Sequence, residues 1–346
     1  MPSRKPEGFQ PPSPAWTAEF SGIKEIIFAQ IGVQSGQANP HAFYVIAQTL
    51  GNANHVDRAF FEDGQGVRND VLLAYWDSTE RYAAWLESPA VKAWREQLEE
   101  GVGKWLEVAK IPLRFLETLY ATENHEAGMS HFATAMPMTD EHGYWGAMRD
   151  RIAAAETDVL SPALPDWVLA EPRQHETRAK RLRVKAPDNL CFVRDTQDWS
   201  DCQGEERATY LDSVAPVLAE GVRFLCGTPL ESGCCVGRFL RECDLKTGAP
   251  LERTCMAAYF LSLGHLERWA KTHPSHLAIF DSFMKMVQKY NFQISLKLWH
   301  EVWVVPGNNL HLEYTNCHPA TGLLPWFEVE ELEFQGHNTK FLLTAS

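Results

Sequence analysis

A histidine at the start of a long apolar segment is the first side chain in this sequence that could do chemistry. His276 ends the run His-Pro-Ser-His. A helix of 3.6 residues per turn would place three apolar side chains on its face: Phe280, Phe283 and Val287. A neutral imidazole in apolar surroundings is what an axial ligand of haem iron requires, and Phe280 would line the cofactor. A helix-capping or hydrogen-bonded core histidine gives the same pattern and is the more common case.

A second histidine interrupts an alternating apolar segment. Between Leu296 and Val305, the alternation predicts a strand that places Leu298, His300 and Val302 on one face. Such a histidine could act as a general acid or base, because it titrates near neutral pH and burial keeps it neutral until it acts. A hydrogen-bonded core histidine is again the simpler alternative.

A carboxylate and an arginine could complete a polar site. Glu117 lies inside an apolar run, and Arg151 ends a run of aromatic and charged residues. Both could join His300 in one constellation, although an ordinary surface ion pair is the more common arrangement. His318 lies in a turn and could also reach a site. The sequence has no phosphate-binding loop, nucleophile elbow or His-Glu-x-x-His motif, which disfavours most common enzyme classes.

The elements that must position these side chains are a mixture of strands and helices. Apolar segments, several of them alternating with polar residues, predict strands at 26–32, 71–76, 113–120, 190–194, 237–241, 256–260, 296–305 and 310–316. Helical periodicity predicts helices at 40–50, 79–86, 91–98, 205–225, 263–271 and 274–290. Antiparallel sheets with helices on one face give an α+β architecture.

A short internal repeat indicates two similar halves. Ala74 begins the run Ala-Tyr-Trp-Asp-Ser, and Ala258 begins the run Ala-Tyr-Phe-Leu-Ser. A tryptophan follows at the same spacing in each copy, at Trp85 and Trp269. Each copy predicts a strand, a serine-capped helix and a second helix that starts with proline. Chance matching is the alternative explanation for so few identities.

These features divide the chain into five segments. We expect a flexible arm at 1–15, a first half at 16–121, an insertion at 122–185, a second half at 186–335 and a tail at 336–346. The insertion is rich in Met, His, Pro and charged residues. Irregular segments often carry site residues, so we expect the insertion to contribute to the site.

Composition narrows the choice of partner and compartment. The chain has 346 residues, of which 45% are hydrophobic, enough for a large core. A net charge of -13 with scattered Lys and Arg argues against nucleic acid or an anionic membrane and favours a small-molecule partner. With no apolar leader or membrane-spanning run, the protein is expected in the cytoplasm. The eight cysteines lack CxxC and CxxCH spacing, so we expect reduced thiols and no covalently attached haem.

Several longer motifs are shared with one enzyme family. They are Phe-Ala-Gln-Ile-Gly at 28–32, His-Val-Asp-Arg at 55–58, Tyr-Trp-Gly-Ala-Met-Arg-Asp-Arg at 144–151, Ala-Pro-Asp-Asn-Leu-Cys at 186–191, Gly-His-Leu-Glu-Arg-Trp at 264–269, His-Pro-Ser-His at 273–276, Leu-Trp-His-Glu-Val at 298–302 and Asn-Cys-His-Pro at 316–319. Together these motifs are specific. From about Trp16 to Glu331 the chain resembles the aldoxime dehydratases, especially the phenylacetaldoxime dehydratase branch.

The resemblance implies a haem enzyme that removes water from an aldoxime, R–CH=N–OH, to give a nitrile. It implies haem b, with His276 as the proximal iron ligand and His300 as the distal catalytic histidine. Arg151 and Glu117 would complete the distal polar set. The implied fold is two ferredoxin-like halves that form a dimeric α+β barrel module with haem in the second half. The implied assembly is a homodimer.

One position departs from the family pattern. The family has a serine that hydrogen-bonds the aldoxime hydroxyl, and the corresponding residue here is Asp195, in the run Val-Arg-Asp-Thr-Gln-Asp-Trp. The departure concerns how the substrate is positioned more than which reaction occurs. The neighbouring Thr196 could take the place of the serine.

The implied mechanism uses one histidine twice. The aldoxime nitrogen would bind ferrous iron while protonated His300 gives its proton to the departing hydroxyl, and neutral His300 would then take the carbon-bound proton. Glu117 and Arg151 would orient the hydroxyl and tune the histidine. A fold does not fix a function, so a non-catalytic haem carrier or gas sensor is the alternative, and a peroxidase-like haem enzyme is a third possibility.

Overall fold

Fourteen strands form one sheet within the part of the chain that the structure describes. The computed structural model describes residues 5–11, 13–38, 40–123, 128–139, 143–164 and 172–334. The predicted tail at 336–346 lies outside these residues, as do residues 1–4 and 12 of the predicted arm. The strands are β1 (Trp16–Glu19), β2 (Glu25–Ser35), β3 (His55–Glu62), β4 (Arg68–Trp76), β5 (Val102–Pro112), β6 (Leu116–Tyr120), β7 (Thr134–Pro137), β8 (Arg181–Val184), β9 (Leu190–Asp198), β10 (Cys234–Cys243), β11 (Pro250–Phe260), β12 (Lys297–Val305), β13 (Leu310–Thr315) and β14 (Val329–Glu331).

The described residues also form nine α-helices and several shorter helical turns. The α-helices are α1 (His41–Ala47), α2 (Thr79–Leu86), α3 (Pro89–Glu96), α4 (Met148–Arg151), α5 (Gly204–Thr209), α6 (Ala215–Gly227), α7 (Pro229–Ser232), α8 (Leu263–Thr272) and α9 (Pro274–Lys289). A π-helical segment, Tyr210–Val214, joins α5 to α6. Single turns of 3₁₀-helix occur at Leu50–Asn52, Leu113–Phe115, Gly128–Phe132, Ala153–Glu156 and Gly307–Asn309.

The same order of elements occurs twice along the sheet. The first repeat runs β2, α1, β3, β4, α2, α3, β5, and the second runs β9, α5, α6, β10, β11, α8, α9, β12 with the short α7 before β10. The strands lie side by side in the order β5-β2-β4-β3 in the first repeat and β10-β11-β9-β12 in the second. All pairs are antiparallel, and β3 pairs with β10 to join the two repeats. The predicted α+β class with an antiparallel sheet is confirmed.

The sequence repeat coincides with this structural repeat. Ala74 lies on β4 and pairs with Ala29 on β2, while Ala258 lies on β11 and pairs with Val193 on β9. Strands β2 and β9 therefore occupy matching positions in the two repeats. The predicted proline starts are confirmed, since α3 begins at Pro89 and α9 at Pro274.

Two central strands were missed by the sequence prediction because charged side chains lie on their buried faces. Strand β3 carries Asp57 and β5 carries Glu107, and both carboxylates are buried in ion pairs. Such residues break the apolar alternation by which strands are recognised. The predicted helix at 205–225 also differs from the structure, since the π-helical segment interrupts it.

The sheet has two different faces. The inner faces of both repeats pack together in one large core, which includes Phe28 of the first repeat and Phe192 of the second. The helices cover the outer faces, α1 to α3 over the first repeat and α6 and α8 over the second. Successive residues of a strand alternate between the two faces, so each strand contributes to the common core and to one helical layer.

A buried arginine links the two repeats behind β9. Arg194 is fully buried, and its guanidinium donates to Asp57 Oδ2 of β3 and to Glu242 Oε1 of β10, each at 2.7 Å. It also donates to the Tyr75 hydroxyl at 2.7 Å, which in turn donates to Glu301 Oε2 at 3.0 Å. Burial opposes ionisation of Asp57, but Arg194 and His55 together outweigh it and hold the pKa of that carboxyl well below its ordinary value. The network specifies how the two repeats pair.

All eight cysteines are free thiols, and seven of them are buried. Burial raises the pKa values of several, for instance that of Cys202 to about 12, so these thiols are protonated at neutral pH. Among the described residues, none of the helices combines the length and the apolar character needed to cross a lipid bilayer.

Replacing Arg194 should destabilise the fold strongly. In Arg194→Met, Asp57 and Glu242 stay buried without their main cation, which costs about 3–5 kcal/mol. Urea unfolding measures the change in the free energy of unfolding. Lys92→Met is the matched control, because Lys92 pairs with Glu87 on the exposed surface and its loss should change stability little. Equal losses in both variants would contradict a structural role for the buried network.

Candidate active site on the outer face of the second repeat

Three of the predicted site residues project from one face of the sheet. His300 on β12 lies directly opposite Asp195 on β9, and Glu117 on β6 lies opposite Val302 on β12. His300 and Val302 are two residues apart and therefore share a face. That face is the outer one, because Val302 and Val304 belong to the core beneath α6 and α8.

The Glu117 carboxylate is clamped between an arginine and a histidine. Arg151 donates through Nε to Glu117 Oε2 at 2.8 Å and through Nη2 to Oε1 at 3.3 Å. The same guanidinium is held by the backbone carbonyls of Tyr144 and Trp145, at 2.7 and 3.1 Å. His300 Nε2 lies 2.8 Å from Glu117 Oε1; the ring N–H is poorly aligned with that oxygen, so the contact is mainly electrostatic. The predicted alternative of a surface ion pair is wrong, because all three side chains are at most 8% exposed.

The clamp fixes the charge of Glu117. Burial alone would raise its pKa, but the positive charges of Arg151 and His300 outweigh that effect and lower the pKa to about 2. The ionised carboxylate lies against Nε2 of His300, so it favours a proton on that nitrogen. Nδ1 is then the ring nitrogen that can exchange a proton with a substrate. The edge of Trp145 packs against the ring, with the two ring centres 5.3 Å apart.

Asp195 is a second titratable group beside His300. Burial raises its pKa to about 6, although His300 and a hydrogen bond from Gln197 favour the ionised form. Gln197 Nε2 donates to Asp195 Oδ2 at 2.9 Å. The prediction that Thr196 could replace the family serine is wrong, because Thr196 is the next residue on β9 and points to the opposite face of the sheet.

His276 lies in the first turn of α9, where Trp269 of α8 packs edge-on against its ring at 4.7 Å. Burial lowers its pKa to about 4, so the imidazole is neutral at neutral pH. Its Nδ1 is buried and has no hydrogen-bond partner among the described residues. Of the apolar residues predicted for the same helix face, Val287 is buried, whereas Phe280 is 56% exposed.

The first repeat shows how the site positions are arranged. Three site residues of the second repeat have aliphatic residues at the matching positions of the first repeat. Val91 matches His276, Leu106 matches His300 and Ile31 matches Asp195. The three aliphatic side chains pack in one buried cluster between the helices and the sheet. Because both repeats share the same order of elements, we infer that the matching positions of the second repeat border one layer between α9 and the sheet. The main contacts of α9 itself are with α6, α8 and the π-helical segment.

The comparisons with known proteins identify the family of this chain. A family model described as haem-containing dehydratase matches residues 29–323. The chain belongs to this family. It is 40% identical over 344 residues to a phenylacetaldoxime dehydratase of Bacillus sp. (strain OxB-1), covering 95% of each chain. It is 34% identical to an aliphatic aldoxime dehydratase of Pseudomonas chlororaphis, covering 93% of each.

A solved structure supports the fold of this haem-containing dehydratase. The crystal structure of an aldoxime dehydratase in complex with butyraldoxime is 30% identical and matches with a TM-score of 0.83, covering 94% of this chain and 92% of that one. This match extends over nearly the whole mixed fold with its large antiparallel sheet.

The side chains present fit the haem that the family name implies. His276 offers a neutral imidazole whose buried Nδ1 makes no hydrogen bond of normal geometry with a described residue, although the backbone of Ala270 lies near the ring. Iron ligation requires a deprotonated nitrogen of this kind. His300 is different, because Glu117 already engages one of its nitrogens. It therefore suits proton transfer better than ligation.

Sequence reasoning missed one residue of this site and misplaced another. Gln197 was not predicted, although it lies two residues after Asp195 and alternation alone would have placed both on one face. His318 was predicted to be able to reach the site. It lies instead beside the end of β3, where its Nε2 is 2.9 Å from Asp63 Oδ2.

Glu117 should make stability depend on pH in the acid range. Because its pKa is about 2 in the folded chain and 4.5 ordinarily, its ionisation stabilises the fold above pH 4.5, and this contribution is lost as the pH falls towards 2. Between pH 5 and pH 3, the wild type should lose about 2 kcal/mol more than Glu117→Gln. Urea unfolding at both pH values measures this. Identical pH dependence in the two proteins would contradict the ion-paired carboxylate.

Proposed function

We propose that this protein dehydrates aldoximes to nitriles with a haem cofactor. The observation that carries the proposal is the buried Arg151–Glu117–His300 set, which leaves one imidazole nitrogen available beside Asp195. The relatives are named for the same reaction with phenylacetaldoxime and with aliphatic aldoximes. A protein that only carries haem or senses a gas has no need for such a set.

The reaction sets the requirements for the site. Hydroxide is a poor leaving group, so the aldoxime oxygen must receive a proton as the N–O bond breaks, and the hydrogen on carbon must leave as a proton. When bound, ferrous haem would hold the aldoxime nitrogen and supply electron density as the N–O bond breaks, which ferric haem cannot do. His276, whose imidazole is neutral and buried, is proposed to hold that iron, and Phe280 on the same helix is proposed to line the cofactor.

His300 is suited to both proton transfers. As an imidazolium, it gives the proton of Nδ1 to the hydroxyl oxygen, the N–O bond breaks and water leaves. As a neutral base, it then takes the proton from carbon, and the C–H electron pair completes the C≡N triple bond. The imidazolium is thereby restored, with no net oxidation of the substrate. General acid-base catalysis of this kind contributes roughly 10²–10⁴-fold to the rate.

Glu117 and Arg151 keep His300 in the form that each step requires. The ionised Glu117 stabilises the imidazolium and holds a proton on Nε2, so that Nδ1 is the nitrogen that exchanges its proton. Arg151 lowers the pKa of Glu117 and thereby prevents the carboxylate from taking the proton itself. Asp195 is proposed to contact the substrate hydroxyl, because it lies directly opposite His300.

We further propose the cofactor state, architecture and assembly that the family resemblance implies. The cofactor is haem b, held without covalent links and ferrous in the active protein. The lack of a CxxCH motif supports the absence of covalent links. The two repeats are ferredoxin-like halves, 16–121 and 186–335, of a dimeric α+β barrel module, with the insertion at 122–185 supplying Arg151. The repeated strand order supports this. A homodimer rests on the resemblance alone, while eight free thiols support a cytoplasmic location.

The proposed reaction can be tested with haem-loaded protein reduced by dithionite without oxygen. Phenylacetaldoxime and butyraldoxime are supplied, nitrile is measured by chromatography, and the Soret band is followed by spectroscopy. We expect nitrile from at least one substrate in the ferrous state and none after oxidation to the ferric state. A haem spectrum with bound aldoxime but no nitrile from either substrate would favour the carrier or sensor.

Replacing each histidine should separate binding from catalysis. His300→Ala should retain haem and lose roughly 10²–10⁴-fold in kcat, because the acid-base group is gone. His276→Ala should instead lose haem. His318→Asn is the control, since His318 pairs with Asp63 away from the site and its replacement should leave kcat unchanged. Full activity in His300→Ala would refute the assigned role.

A further inference from the structure

A chain of hydrogen bonds leads from β11 to the carboxyl group of Asp195. Thr254 Oγ1 donates to Gln197 Oε1 at 3.1 Å, and Gln197 Nε2 donates to Asp195 Oδ2 at 2.9 Å. Thr254 and Gln197 are directly opposite each other across β11 and β9, and both are less than 9% exposed. Tyr210 of the π-helical segment lies close enough to interact with both Thr254 and Asp195. Functional sites often lie at such π-helical segments.

This chain of hydrogen bonds fixes one carboxyl oxygen of Asp195 and leaves the other available. Because Thr254 donates to the oxygen of the Gln197 amide, the amide must present its N–H to Asp195. Oδ2 is therefore occupied. Among the described residues, no protein group donates a hydrogen bond to Oδ1, and Asp195 retains some accessible surface on the face that it shares with His300.

The aldoxime hydroxyl needs an acceptor as well as a proton donor. A hydroxyl has one hydrogen and two lone pairs. If His300 delivers a proton to a lone pair, the hydrogen already on the oxygen must be directed elsewhere. A carboxylate directly across the strand pair from His300 is placed to receive it.

We propose that Gln197 and Thr254 are positioning residues, which fix the carboxylate of Asp195 so that its Oδ1 accepts the hydrogen of the aldoxime hydroxyl beside His300. The proposal rests on the function proposed above and names residues that the family resemblance does not supply. Gln197 also stabilises the ionised form of Asp195. The titratable groups that face this carboxylate are His300 on β12 and Tyr210 on the π-helical segment, with Glu117 behind His300.

Two substitutions remove hydrogen bonds from this chain of side chains, and two others serve as controls. Gln197→Leu removes both hydrogen bonds, whereas Thr254→Val replaces one hydroxyl by a methyl group of similar size. Thr254→Ser keeps the hydroxyl and should restore wild-type behaviour. Thr196→Val is the matched control on β9, because Thr196 points to the opposite face and its hydroxyl has no hydrogen-bond partner among the described residues.

The variants are compared as haem-loaded protein in two measurements. One is kcat and KM for nitrile formation between pH 5 and 8 in the ferrous state; the other is the Kd of the aldoxime from the Soret change in the ferric state, without turnover. We expect Gln197→Leu to raise both KM and Kd roughly tenfold, since a hydrogen bond to a charged group is lost. The acid limb of the pH profile of kcat/KM for Gln197→Leu should move to higher pH, because without the amide N–H the carboxyl group of Asp195 binds a proton more readily. Thr254→Val should follow with smaller changes.

The outcomes separate this inference from the proposed reaction. If the wild type makes nitrile but Gln197→Leu matches Thr196→Val in Kd, KM and pH profile, the positioning role is overturned and the reaction stands. Failure of Thr254→Ser to restore wild-type behaviour would also overturn it. If no protein makes nitrile but Gln197→Leu still weakens aldoxime binding in the ferric state, the positioning role is supported and the reaction is refuted.

Discussion

The pairing register of β9 and β12 is the constraint on which the site depends. In this register His300 is opposite Asp195 on the outer face, and the next pair, Glu301 and Arg194, is opposite on the inner face. Because side chains alternate along a strand, a slip of one residue in β12 would turn His300 to the inner face and Glu301 to the outer face. Arg194 resists such a slip, since its ion pairs reach Asp57 and Glu242 on other strands. The buried charges on the inner face of the sheet thus fix the positions of the titratable groups on its outer face.

The two repeats use the same architecture for different purposes. In the first repeat, Ile31, Leu106 and Val91 fill the layer between helices and sheet with aliphatic side chains. The matching positions of the second repeat carry polar and titratable groups, which are costly to bury and are therefore retained where they serve a reaction. The insertion adds Arg151, whose ion pair with Glu117 offsets the cost of burying that carboxylate. In the proposed function the chemistry thus depends on a few residues of β6, β9, β12 and the insertion and not on the fold itself.

The sequence predicted the helices and many strands well, because apolar periodicity and proline or serine caps are local signals. It also supplied His300, Glu117 and Arg151, and the structure brings these three together. Strands β3 and β5 were missed because their buried carboxylates find partners only in the tertiary structure. Thr196 was proposed for a role that strand alternation forbids, and Gln197 was missed although alternation favoured it. Long-range pairing, such as that of His318 with Asp63, leaves no trace in a single sequence.

The two histidines are assigned different roles, and the iron–histidine stretching band in the resonance Raman spectrum of the reduced, haem-loaded protein distinguishes them. The spectra to compare are those of the wild type, His276→Gly with added imidazole, and His300→Ala. We expect the band to persist unchanged in His300→Ala and to be replaced in His276→Gly by the band of exogenous imidazole. An unchanged band in His276→Gly together with its loss in His300→Ala would show that His300 binds the iron, which contradicts the roles assigned to the two histidines.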